Sequence, residues 1–180
     1  MSDENKHEEE EFYIKASTPS MWLDMAEELK ISADVMLREL NKVMRISNDV
    51  GNIGDIQKQK LAYMHSYMLL SGFAIEHLIK GILIADNPLL VTDKLSGDLT
   101  KHTLMQLSKN AKLSLLSDEE ELLGRLEVYV VWAGRYLTAI TEKKFEEQKG
   151  KRSKKHDDDQ RIESLFTKLK ETLTAKPNYK

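Results

Sequence analysis

Leu61 to Ala85 reads LAYMHSYMLLSGFAIEHLIKGILIA. Nearly every position is apolar or small, yet Glu76, His77 and Lys80 stand in its second half. A helix that is apolar almost all round is buried almost all round. A charge enclosed with it needs a partner, because an unpaired buried charge is costly. The stretch therefore predicts the central helix of an all-α fold, and its polar exceptions are the first place to look for chemistry. Ser66 to Ala85 also has the length of a membrane span. Glu76 and Lys80 would then sit near the bilayer centre at roughly 2.5–3.5 kcal/mol each, which favours the core of a bundle instead.

Working outward, Asn87-Pro88 stops this helix and Gly51 to Gly54 precede it, so a span of about 56–86 is expected. Upstream, Thr18-Pro19 offers an N-cap with proline at the first helical position. Trp22, Met25, Leu29, Ala33, Met36, Leu40 and Val43 then recur every three or four residues, one face of a long helix. Downstream, Ser96-Gly97-Asp98 is a turn. A short helix is predicted from near Thr100, carrying Leu104, Leu107 and Ala111. Ser117 to Glu120 spells a capping box for a fourth helix through Leu122, Leu123, Leu126, Tyr129, Val130 and Ala133. A last helix from about Asp159 puts Ile162, Leu165, Phe166, Leu169 and Leu173 on one stripe.

The remainder is charged. Residues 1–15 are acidic and patternless, which predicts a disordered tail. The run EKKFEEQKGKRSKKHDDD over 142–159 predicts a mobile loop. The whole is then one domain over 16–180, an antiparallel helical bundle of about five helices. The chain has 180 residues, a formal net charge of −3 and 32% charged residues, so no global charge draws it to nucleic acid. It has no cysteine, which removes disulfides, thiol catalysis and thiolate metal sites. A cytoplasmic location is expected, and the acidic start lacks the basic, then apolar, order of a secretory signal.

Several residues could carry chemistry. Glu76 and Lys80 are four apart with the acid first, the favourable order for an intrahelical pair. They either line a polar pocket for a phosphate, a nucleotide or a partner's charge, or form a partly buried pair whose lysine reaches the rim. Ser71-Gly72 and Gly81 predict close approach of another helix. His102 in TKHTLMQL is an acid–base candidate or a helix-start residue. His65 and His77, twelve residues apart, are too distant to share one metal along the helix, and neither a di-iron pattern nor H-E-x-x-H occurs on a predicted helix. No metal or other cofactor is expected.

Trp132-Ala133-Gly134-Arg135-Tyr136 places a planar cation between two aromatics. That suits an anion or nucleic-acid contact, or equally a helix C-terminus with core aromatics. Lys149, Lys151, Arg152, Lys154 and Lys155 could track a phosphate backbone, but Asp157, Asp158 and Asp159 follow directly.

Read together, SGFAIEHLIKG, then KHTLMQL, then WAGRY resemble the HEPN-domain proteins, in an uncharacterised bacterial branch, over about residues 61–137. The resemblance implies a helical bundle, a homodimer, and roles in RNA cleavage, toxin–antitoxin pairs or phage defence. The family's ribonucleases pair an arginine with a histidine four to six residues later. Arg135 takes the arginine's place, and Ile140, Thr141 and Glu142 stand further on where no histidine follows. The expectation is a non-catalytic HEPN-like binding protein, acting on RNA, a nucleotide or a partner protein. Its ligand-binding residues would be Glu76, Lys80, His102, Trp132, Arg135 and Tyr136. A metal-independent ribonuclease using His102 and Arg135, and a plain interaction scaffold, remain as alternatives.

Overall fold

The structure, a computed structural model, describes residues 11–46, 53–133, 141–148 and 150–179. All regular elements among them are helical: α1 over 11–17, α2 Pro19–Ile46, α3 Ile53–Asp86, a 3₁₀ turn Pro88–Leu90, α4 Leu104–Asn110, α5 Ser117–Val128, a π-helical turn Tyr129–Ala133, α6 Glu142–Glu147 and α7 Asp158–Thr174. The all-α bundle expected from the sequence is present. The short α1 and α6 are additions, since they fall where the tail and the charged loop were read. Residues 1–10 lie outside the described part.

The 34-residue α3 is the axis of the bundle and packs against α2, α4, α5, the π turn and α7. From Ala74 to Ala85 only His77 is not buried. This is the apolar-all-round pattern of the sequence expressed as packing: solvent is replaced by neighbours on every side. Gly54–Asp86 is long and apolar enough to cross a membrane, and 78% of its most apolar window is enclosed by the rest of the chain.

Two small residues set how near the neighbours come. A Cβ on Gly81 would lie 2.9 Å from Leu173 of α7 and 3.2 Å from the Cβ of Trp22 of α2. One on Gly72 would lie 2.5 Å from Val130 in the π turn. Gly81 thus meets the start of α2 and the end of α7. Lys30 with Glu163, and Glu27 with Lys170, hold those two helices together further along. These pairings run α2 antiparallel to α3, and α7 parallel to it.

Local boundaries depart from the sequence reading for identifiable reasons. Pro19 opens α2, but the Thr18 hydroxyl donates back to Ile14 O at 2.6 Å and closes α1 instead of capping α2. The buried stripe of α2 is Leu23, Ala26, Ala33, Leu40 and Val43; Met25 lies outside it, 45% exposed. α4 begins at Leu104, later than expected, because residues after Ser96 are spent in a turn in which Leu99 N–H donates to Ser96 O. α5 is capped one residue early. Glu119, not Glu120, reaches back and accepts from the Leu116 N–H at 2.8 Å, so Ser117 is already helical.

The charged run over 142–159 is not simply a loop. Beyond α6 it is tied to the bundle through a buried ion pair. Arg125 of α5 (3% exposed) grips Asp158 (0% exposed) with two guanidinium nitrogens. It also donates to Ser153 O at 3.2 Å, and Lys155 N–H donates to Asp158 at 2.6 Å. The pairing cost of burying both charges is offset by hydrogen bonds that occupy both carboxylate oxygens.

Candidate functional site

Helical geometry puts Glu76 and Lys80 one turn apart on the same face of α3. Lys80 Nζ donates to Glu76 Oε1 at 2.6 Å, with both side chains almost wholly enclosed. The third member arrives from the irregular stretch before α4. His102 Nδ1–H donates to Glu76 Oε1 at 3.0 Å and lies 3.2 Å from Oε2. Because the carboxylate can only accept when ionised, the imidazole proton on this side belongs to Nδ1. The His102 side chain is 44% exposed. Its buried edge is fixed on Glu76, so the edge carrying Nε2 is the one turned outward.

The late start of α4 is what makes this possible. Non-helical chain at residues 101–103 lets His102 reach across to α3, where a helix from Thr100 would have put it on a different path. One buried carboxylate therefore orders two nitrogen groups from separate elements. That is a preorganised polar site: its rotamers are locked before any ligand arrives.

His77, next to Glu76, faces a different neighbour. Its Nδ1–H donates to Phe73 O at 2.8 Å, and its ring stands 5.5 Å from that of Trp22 at 38°. Burial is the largest influence on it and pushes its pKa below the ordinary histidine value. The Phe73 hydrogen bond and Glu76 work in the opposite direction. Lys15, Met21, Trp22, Met25 and His77 line a shallow groove of about 380 Å³.

The remaining predicted residues do not join this group. Trp132 is buried and lies in the π turn, packed near Phe145 and under the Arg152 guanidinium, 5.1 Å from the ring centre. Its indole N–H donates to Gln148. Its described contacts are with these residues and not with Glu76, Lys80 or His102, and it is part of the buried core. Arg135 and Tyr136 lie outside the described residues, and with them the proposed pairing of Arg135 with His102. Two cations of the basic run are committed. Lys155 pairs with Glu121 at 2.9 Å and Lys154 with Asp159 at 3.7 Å.

Sequence reasoning missed Arg125, Glu121 and Asp158. Arg125 falls between Leu122 and Leu126 on the apolar face of α5, and that placement was the available signal that it is buried. Glu121 is surrounded by cations. Although burial works against ionisation, hydrogen bonds from Lys155 and Arg125 and the charge of Arg125 dominate, and its pKa falls to about 2. No group of histidines and carboxylates among the described residues is placed to hold a metal ion.

Comparison with family models, with curated proteins and with solved structures finds no match to this chain.

Proposed function

We propose that this chain is a non-catalytic, HEPN-like binding protein, a cytoplasmic homodimer of a toxin–antitoxin or phage-defence type, whose ligand carries phosphate: RNA or a nucleotide. The observation that carries this reading is the shared carboxylate. Glu76 holds Lys80 and His102 in fixed positions, and half of the imidazole remains open to solvent. With Nδ1–H held by Glu76, the outward Nε2 accepts in the neutral ring and donates to a phosphate oxygen only once it is protonated; the imidazolium so oriented recognises phosphate well, since hydrogen bonds to charged groups are roughly twice as strong as neutral ones. The HEPN-like part of the proposal rests on the resemblance over residues 61–137.

The test is binding of a short RNA and of mononucleotides, followed by anisotropy at low and moderate salt, with wild type and His102→Ala. Binding that weakens with salt and falls about tenfold or more in His102→Ala supports the reading. No measurable affinity for either ligand, alongside a co-purifying protein, would replace it with the interaction scaffold.

One observation favours a second reading. A buried carboxylate orienting a half-open imidazole is also the arrangement of a general base. A metal-independent ribonuclease would cleave RNA in the presence of a chelator and lose that activity in His102→Ala. RNA left intact by wild type ends this alternative.

A further inference from the structure

Tyr129 opens the π-helical turn, and single π turns within helices are frequent at functional sites. Its side chain is 0% exposed, and its hydroxyl has no hydrogen-bond partner among the described residues. A buried donor left unpaired costs about 1–3 kcal/mol, so native structures keep few of them. A second buried donor, Nε of Arg152, is also without a partner.

Ring contacts and the reach of the Arg152 charge to both Tyr129 and His65 put the two in one neighbourhood. The His65 ring lies 5.7 Å from that of Tyr129, and Arg152 sits over Trp132, three residues along from Tyr129. Burial raises the Tyr129 hydroxyl to about 12, with the nearby Arg152 charge opposing it. Burial, seconded by Arg152, holds His65 below its ordinary value. Near neutral pH the cluster therefore offers a phenolic O–H, a guanidinium N–H and a neutral imidazole.

We propose that His65, Tyr129 and Arg152 form a receptor for a phosphate-type oxyanion, separate from the Glu76 group. A single internal water would satisfy one donor but would leave the guanidinium, which has no ion pair among the described residues, without a counterion. A tetrahedral oxyanion answers both needs, with acceptors for each donor and negative charge for the arginine. His65 and Glu76 are eleven residues apart on α3, about 16.5 Å along a helix axis. The receptor stands on its own residues, and its success or failure is independent of the function proposed for His102.

The experiment is thermal unfolding of the full chain against inorganic phosphate, with chloride at matched ionic strength as control. Phosphate should raise the wild-type Tm saturably, as any ligand of the native state does. Tyr129→Phe removes only the hydroxyl and should fold with equal or higher Tm in the absence of phosphate. It should need about tenfold more phosphate for the same shift, as should Arg152→Gln, while His102→Ala responds like wild type. Phosphate should also raise the His65 imidazole pKa, followed by NMR with His65→Gln for assignment. Comparing 5′-phosphorylated with 5′-hydroxyl RNA tells a strand end from free phosphate as the source. A phosphate response no larger than chloride's, for both inorganic phosphate and 5′-phosphorylated RNA, overturns the proposal and assigns the space to water. A Tyr129→Phe protein that binds as wild type does overturns it equally.

Discussion

Asp158 and Arg125 show what a single pair of residues does here. Both are buried, and the aspartate also receives the Lys155 N–H. Removing one partner leaves the other charged and enclosed, so Asp158→Ala is expected to destabilise the chain by about 3–5 kcal/mol, measured by urea unfolding. Arg125→Met combined with Asp158→Leu removes both charges and should recover most of that loss. If the single and double variants are equally damaged, the pair is not the anchor of the charged segment. Glu121 belongs to the same scale but differs in kind: it is exposed on one side and shared by Lys155, Arg125 and Arg161.

At the scale of elements, α3 and its close neighbours are the points of greatest sensitivity. Gly72 faces Val130 in the π turn and Leu126 O in α5, so Gly72→Ala forces the π turn outward. The gain in helix propensity, about 1 kcal/mol, opposes an overpacking cost of about 1–3 kcal/mol. A net loss of stability is expected, and a stabilised Gly72→Ala protein would mean that Val130 can simply rotate away. A second prediction concerns the end of α4. Lys112 adopts φ 51°, the left-handed conformation that closes a helix with Leu113 N–H donating to Ser108 O. Lys112→Gly should raise stability by up to about 1 kcal/mol, since only glycine adopts this conformation without penalty. An unchanged or lowered unfolding midpoint would contradict it.

The same scale shows what was legible in the residues. The stripe in α7 and the enclosure of α3 could be read directly, because hydrophobic periodicity responds to burial and nothing else competes with it. Pro19, Asn87 and Pro88 mark helix boundaries through their own backbone constraints. The pairing of Glu76 with Lys80 follows from helical spacing. His102 was expected in one set with Glu76 and Lys80, but its direct contact with Glu76 depends on the path of an irregular segment across space, which no spacing rule gives. The neighbours of Trp132 were hidden for a similar reason: helical spacing links it to Arg135 in sequence, whereas its described contacts are with Gln148, Phe145 and Arg152. Asp158 looked like one of three solvated aspartates, and only the position of Arg125 on the apolar face of α5 distinguishes it.

For the molecule as a whole, the acid limb of stability reports how the charged segment is held. Glu121 has its folded-state pKa depressed from 4.5 to about 2. A carboxyl with a depressed folded value contributes stability above its unfolded pKa, and loses it as pH falls through the folded one. Wild type should therefore lose stability progressively between about pH 4.5 and 2, and Glu121→Gln should show a shallower loss over that window. Exposure to solvent screens the contribution, so the change is small near neutrality. Equal slopes in the two proteins would show that Glu121 is not coupled to folding. His77 acts further up the scale: its lowered pKa means that stability present above about pH 6.5 declines as the medium becomes more acidic.

The proposed site stands on one buried carboxylate that holds His102 by its inner nitrogen and leaves the outer one for a ligand. ¹⁵N-resolved NMR of the His102 imidazole, recorded with and without a short RNA or a nucleotide, tests this most directly. The free protein should show a proton on Nδ1 that persists in Glu76-intact protein and is lost to exchange in Glu76→Gln. Ligand should move the Nε2 resonance and leave the Nδ1 proton in place. An imidazole whose Nδ1 carries no proton in the free state, or one whose two nitrogens are indifferent to every phosphate-bearing ligand, would contradict the site.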